Sequence, residues 1–127
     1  MSACGWVWID TSSATVQTFM GQWGAAGGRA FVIRTLSSRY SMSVTADGTT
    51  AVTVSAATFG LPPTGAWHFL AVYYDRTNIA IGVNNGVFDT VLHSTDITAG
   101  VVVDVPFELG RAFTNNQHLD GRMAGWG

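Results

Sequence analysis

A chain of 127 residues with 47% hydrophobic and only 11% charged residues is long enough to bury one core and too apolar to remain unfolded. Its net charge of −2 offers no basic footprint for nucleic acid or an anionic membrane surface. The single cysteine, Cys4, excludes an intrachain disulfide and reads as a small buried hydrophobe.

The N-terminus lacks a basic region followed by an apolar stretch, so no secretory signal is expected. No apolar run reaches the roughly 18 residues of a spanning helix, and a soluble chain without membrane insertion is expected. All six basic residues are arginine. Base composition of the gene accounts for that choice, or use in interfaces, where Arg is enriched over Lys.

Turn-forming residues punctuate the chain every eight to twelve residues or so, as in a sandwich or barrel. Residues 4–9 (CGWVWI) predict a first strand and 16–20 a second, followed by a glycine-rich loop over 24–28. Residues 29–35 predict a third. Tyr40, Met42, Val44 and Ala46 then alternate with Ser41, Ser43 and Thr45. Asp47-Gly48 turns the chain, and Val52 and Val54 alternate with Ala51, Thr53 and Ser55. This hairpin predicts one dry face and one solvated face of hydroxyls.

Residues 61–65 (LPPTG) form a stiff connector that cannot be a central strand. Residues 67–75 and 79–83 predict two strands, with Ile79, Ile81 and Val83 in one apolar row. Asn84-Asn85-Gly86 closes them, since Asn and Gly tolerate positive φ. Further strands are predicted over 87–92, 101–105, 107–110 and 119–126. Gly and β-branched residues interrupt every helical window. The reading is all-β.

Candidate chemistry is sparse. Glycan hydrolysis needs two carboxyl groups facing one bond, roughly 5–10 Å apart. The chain has one Glu, Glu108, and seven scattered Asp, with no two acids at i, i+2. Asp104 and Glu108 come nearest, with Pro106 between them. His68, His93 and His118 lack metal-ligand spacing. His68 reads as a strand residue with one satisfied nitrogen. No Gly-x-Ser-x-Gly elbow or phosphate-binding glycine motif occurs. No enzyme is expected.

The five tryptophans raise the stacking of an indole on a sugar ring. Trp6, Trp67 and Trp126 lie within strand patterns and are assigned to the core, while Trp8 is left open. Trp23, beside the glycine-rich loop, is the expected exposed platform.

Several motifs in consistent order resemble the laminin-G-like jelly roll of the concanavalin A-like lectin/glucanase superfamily. They are Gly5-Trp6-Val7, the segment Phe19 to Trp23, and the strand from Trp67 to Tyr74-Asp75. Val83-Asn84-Asn85-Gly86, Leu109-Gly110-Arg111 and Leu119-Asp120-Gly121-Arg122-Met123 complete the set. The resemblance implies an antiparallel jelly-roll β-sandwich over residues 1–127. Ala124 and Arg76 stand where the family has Asp and Gly.

The family's strand before the Trp-Val strand is missing, and the closing strand stops short at Gly127. The first and last strands are therefore expected to lack their partners, with a neighbouring domain or subunit completing the edges of the sheets. No cofactor is expected; the resemblance raises calcium as the one alternative, at oxygen-rich loops that include Asp75, Asn78 and Asp120, whose Asp and Asn also close turns through their own side chains. Asn115 and Asn116, with Trp23, are the expected ligand-binding residues. The function implied is a non-catalytic binding or adhesion module for glycans or protein surfaces. The alternative is a structural assembly subunit, such as a virion decoration, spike or fibre domain. Either places the chain extracellularly or on a virion surface.

Overall fold

The computed structural model describes residues 1–11, 16–93, 105–112 and 117–127. Its strands in chain order are β1 (Ser2–Ile9), β2 (Thr18–Trp23), β3 (Arg29–Leu36), β4 (Arg39–Thr45) and β5 (Ala51–Ser55). Then follow β6 (Trp67–Tyr74), β7 (Asn78–Val83), β8 (Asp89–Leu92), β9 (Glu108–Leu109) and β10 (Gly121–Ala124). They form two five-stranded sheets. Sheet A has the order β10-β1-β6-β7-β8 and sheet B the order β5-β4-β3-β2-β9, and all their pairings are antiparallel.

The predicted hairpins are present where their turn residues place them. β4 pairs with β5 across the Asp47-Gly48 turn, and β6 with β7 across residues 75–77. Asp47 closes its turn by accepting hydrogen bonds from the Thr49 and Thr50 amides at 2.8 and 2.6 Å. Those bonds favour the ionised form and hold its carboxyl well below the usual range. Asp75 repeats the device with the Thr77 and Asn78 amides. The strand predicted over 101–105 lies outside the described residues, apart from Val105.

The core lies between the sheets. Val7, Ile9, Leu70, Val72, Ile79 and Ile81 from sheet A meet Phe19, Ile33, Tyr40, Met42, Val44 and Val54 from sheet B. Burial of such side chains stabilises the fold by roughly 1.5–3 kcal/mol each. Ile79, Ile81 and Val83 share one inward row, as their alternation predicts.

The two ends of the chain depart from expectation. β1 and β10 pair with each other, Trp6 opposite Ala124 and Ile9 opposite Gly121. The pairing continues to the last residue, where Cys4 and Gly127 exchange both backbone hydrogen bonds at 2.9 and 3.0 Å. β1 is therefore an interior strand, with β6 on its other side. Gly5 makes this possible. A Cβ at that position would stand 2.5 Å from the Trp126 ring, which packs against the core through the space left by the missing side chain.

One polar link crosses the core. Tyr40 of sheet B and His68 of sheet A share a hydrogen bond, Oη to Nδ1 at 2.8 Å. His68 is thus the strand residue with one satisfied nitrogen that the sequence suggests. Burial pushes the Tyr40 hydroxyl up and His68 below its ordinary value of 6.5. A lowered histidine pKa means that the unfolded chain binds the proton more readily than the folded one. Stability is then full above about pH 7 and declines as pH falls below the unfolded value near 6.5. Thermal melts from pH 8 to pH 5 should show this decline, and His68→Gln should make it shallower; an unchanged slope in the variant would refute the assignment.

Candidate binding face on sheet A

Strand alternation sends Gly5, Val7 and Ile9 inward, so Cys4, Trp6 and Trp8 point out of sheet A. On β6, His68, Leu70 and Val72 go inward, leaving Trp67, Phe69 and Ala71 outside. The register sets Trp6 opposite Phe69 and Trp8 opposite Trp67. Four aromatic rings thereby gather on one external surface. Trp6 and Phe69 meet edge to face with centroids 5.3 Å apart and planes at 61°, and Trp8 and Trp67 do so at 5.8 Å and 62°. Such pairs contribute about 0.5–1.5 kcal/mol beyond their burial.

Trp6 and Trp67 remain 45% and 40% exposed. These two are diagonal neighbours, roughly 7–8 Å apart by sheet geometry. With Phe69, Asn84 and Asn85 they line a shallow depression of about 520 Å³, and with Ala124 a second of about 340 Å³. The rim is polar. Asn84 and Asn85 adopt left-handed φ values of 51° and 59°, and the Gly86 amide donates to Val83 O at 2.9 Å to close the turn. Asn84 Oδ1 accepts the Phe69 amide at 2.8 Å, which ties the turn to the aromatic strand. On the opposite flank the Arg122 guanidinium lies 5.4 Å from the Trp8 ring centre, and Trp8 Nε1 donates to Asp10 Oδ1 at 2.7 Å. The surface combines flat apolar rings with amide, carboxylate and guanidinium groups at its border.

This face corrects the assignment of Trp6 and Trp67 to the core. The residues of CGWVWI are apolar at both parities, and the smaller set, Gly5, Val7 and Ile9, fills the space between the sheets. Trp126 does pack on the core, half-buried. Cys4, expected inside, is exposed because it shares the parity of Trp6. A usable signal was present: Trp6 and Trp8, like Trp67 and Phe69, sit two apart, on strands whose other parity carries Val7 and Ile9 or Leu70 and Val72.

The predicted site residues fare differently. Trp23, the expected platform, is only 6% exposed, flanked by the guanidinium groups of Arg29 and Arg34, each 5.3 Å from its ring centre. Asn115 and Asn116 lie outside the described residues. Asp75 and Asn78 serve the turn between β6 and β7, and Asp120 accepts a hydrogen bond from Thr11 Oγ1 at 2.6 Å. Tyr73 pairs with Ser2 and Gly121 with Ile9, so these acids sit at opposite ends of β1, separated by roughly 23 Å of strand. Among the described residues no three His, Cys, Asp or Glu side chains come together, and the residues proposed for calcium do not form one site there.

The hydroxyl row also differs from the solvated face predicted for it. Ser41, Ser43 and Thr45 are fully buried. Their hydroxyls are satisfied across the hairpin, Ser41 with Ser55 at 2.9 Å and Ser43 with Thr53 at 2.8 Å, while Thr45 donates to Asp47 at 2.9 Å. Paired in this way, the hydroxyls need no water. Glu108, the one glutamate, is held by Arg111 at 2.7 Å.

An antiparallel two-sheet sandwich with an aromatic outer face is the class of domain these observations define. The chain belongs to the concanavalin A-like lectin/glucanases superfamily, whose laminin G model matches residues 1–125. Among solved structures it is similar to domain 4 of AbnA, an extracellular arabinanase from Geobacillus stearothermophilus, in complex with arabinotriose. That match has a TM-score of 0.65 and 20% identity, over 98% of this chain and 57% of that one. It is similar to domains of the mouse laminin α1 chain, with a TM-score of 0.61 and 16% identity, over 97% of this chain and 31% of that one. It is also similar to CBM40 of the Ruminococcus gnavus IT-sialidase bound to α2,3 sialyllactose, with a TM-score of 0.63 and 15% identity, over 98% and 70%. The chain thus spans about a third of the solved laminin LG4-5 chain and just over half of the solved arabinanase domain. No curated protein matches it.

Because Trp6 and Trp67 lie outside the core, Trp6→Ala and Trp67→Ala should each cost no more than about 1.5 kcal/mol, the worth of one aromatic pair. Phe19→Ala, within the core, should cost about 3–5 kcal/mol. Urea unfolding of the three variants measures the difference, and equal losses would place the two indoles back in the core.

Proposed function

We propose that this chain is a non-catalytic binding module that holds a saccharide against the outer face of sheet A. The observation that carries the reading is the pair of exposed indoles, Trp6 and Trp67, on one surface bordered by Asn84 and Asn85. The apolar C–H face of a sugar ring covers an indole, and amides at the border exchange hydrogen bonds with its hydroxyls. Few convergent polar groups around an apolar floor are the usual composition of a ligand site. The similarity to domains solved with arabinotriose and with sialyllactose supports the reading. Glu108 is taken up by Arg111 and offers no free acid for hydrolysis. A module of this kind works outside the cell or on a particle surface.

The test is a glycan array followed by calorimetry with its strongest hits, arabinotriose included as a probe. Trp6→Ala or Trp67→Ala should weaken binding at least about tenfold, equivalent to about 1.4 kcal/mol, whereas Trp23→Phe should leave it unchanged. An array without hits, or affinity that survives in the Trp6/Trp67 double variant, would refute the reading.

A second reading, the structural assembly subunit, rests on a different surface. Among the described strands β8 is an edge of sheet A, and Val91 and Leu92 on it and Val87 and Phe88 just before it are 37%, 73%, 75% and 41% exposed. An apolar unpaired edge is a template for another strand. If a neighbouring copy covers it, light scattering at high micromolar concentration will show oligomers that Leu92→Asp disperses. A monomer under the same conditions would exclude self-assembly through this edge.

A further inference from the structure

The outer face of sheet B carries a second feature, independent of the aromatic face on sheet A. Trp23 and Val32 are buried there, yet neither belongs to the cluster between the sheets. Arg29 and Arg34 both lie 5.3 Å from the centre of the Trp23 ring, so two like charges share one indole. Cation–π attraction explains why each approaches the ring, but not why the two are brought together.

Their hydrogen bonding separates them. Arg29 fastens the glycine-rich loop and the β4–β5 turn, since its Nε donates to Gly24 O at 3.2 Å and its Nη1 to Thr49 O at 3.4 Å. Arg34 fastens nothing comparable. Its Nε is buried without a hydrogen-bond partner. Its cross-strand neighbour Thr18, fully buried, also leaves Oγ1 unpartnered. The one ion pair among the described residues is Arg111 with Glu108, so no carboxylate among them neutralises Arg34. Burial and the Arg29 charge both lower the Arg34 pKa, as expected of a guanidinium that lacks a counter-ion.

A buried donor without an acceptor, on a cation without an anion, is costly. A single oxyanion removes both costs. We propose that Arg34 and Arg29, oriented by Trp23, form a binding site for an oxyanion, the carboxylate or sulfate group of an acidic ligand. The planar fork of Arg34 supplies paired donors to two oxygens of such a group. Arg29 adds a second positive charge at the same indole. Trp23 holds both forks in place before the ligand arrives, which reduces the ordering cost of binding.

The test uses the full chain labelled with ¹⁵N. The Arg34 Nε–H and Trp23 indole N–H resonances are followed during titration with sodium sulfate, sodium galacturonate and, as a control, sodium chloride. A saturable shift with sulfate or galacturonate is expected. Sulfate alone assigns a sulfate ligand, galacturonate alone a carboxylate, and both a general oxyanion site. Sulfate also strengthens folding by exclusion from protein surfaces, but that contribution does not saturate. Arg34→Gln should abolish the saturable shift of the Trp23 resonance, and Arg34→Lys, which keeps the charge without the fork, should weaken binding about tenfold. The Trp6/Trp67 double variant should keep the response, which separates this site from the saccharide face. Shifts that match chloride, or a saturable Trp23 response that persists in Arg34→Gln, would overturn the proposal.

Discussion

The rest of the structure depends on β1 being paired on both sides. Its hydrogen bonds to β6 and β10 fix which parity of CGWVWI points inward, and a slip of one residue would exchange every side chain between core and solvent. Gly5 is the position that permits this arrangement. It lets the Trp126 ring settle against the core while the indole Nε1 donates to Trp6 O at 3.2 Å. The last residues of the chain thereby cover the strand that carries Trp6 and Trp8. Closure of the sandwich and exposure of the aromatic face have one cause.

That cause also shows what could be read from the sequence. Turn chemistry and period-two alternation are local, and they placed the hairpins of β4–β5 and β6–β7 and the inward row Ile79, Ile81 and Val83. The order of motifs placed the superfamily. The face of the tryptophans was not local. Trp6 and Val7 are both apolar, and alternation names two faces without saying which one is covered. Only the pairing of β1 with β6 and β10, far along the chain, decides it. The same limit applied to Trp23. A tryptophan beside a glycine-rich loop has the context of an exposed ring. The structure instead buries it, with the Arg29 and Arg34 guanidinium groups from the neighbouring strand 5.3 Å from its ring centre.

Polar groups inside the fold follow a consistent rule, and the exceptions identify the places of interest. The hydroxyls on β4 and β5 satisfy one another and Tyr40 satisfies His68, while at the surface the turn carboxylates of Asp47 and Asp75 collect backbone amides. Each buried group with a partner has a structural explanation. Arg34 Nε and Thr18 Oγ1 lack one, as do Gln17 Nε2 and Gln117 Oε1 beside them, where the Thr18 amide donates to Gln117 O. Arg34 lies on β3 and Thr18 begins β2, with Gln17 just before it, whereas the remaining unpartnered atom among the described residues, His93 Nδ1, follows β8 of sheet A.

The two outer faces consequently differ in chemistry although they belong to similar sheets. Sheet A presents two exposed indoles, Trp6 and Trp67, bordered by the amides of Asn84 and Asn85, with Arg122 lying over the neighbouring Trp8 ring. Sheet B presents a buried ring with two guanidinium groups 5.3 Å from its centre. An indole that is open attracts an apolar sugar face, whereas an indole capped by guanidinium groups presents charge instead. The distinction comes from the neighbouring strand in each case: β6 supplies aromatic Phe69 and Trp67 beside β1, and β3 supplies Arg29 and Arg34 beside β2. Tryptophan alone does not define a carbohydrate platform in this fold; its cross-strand neighbours decide whether the ring is a surface or a support.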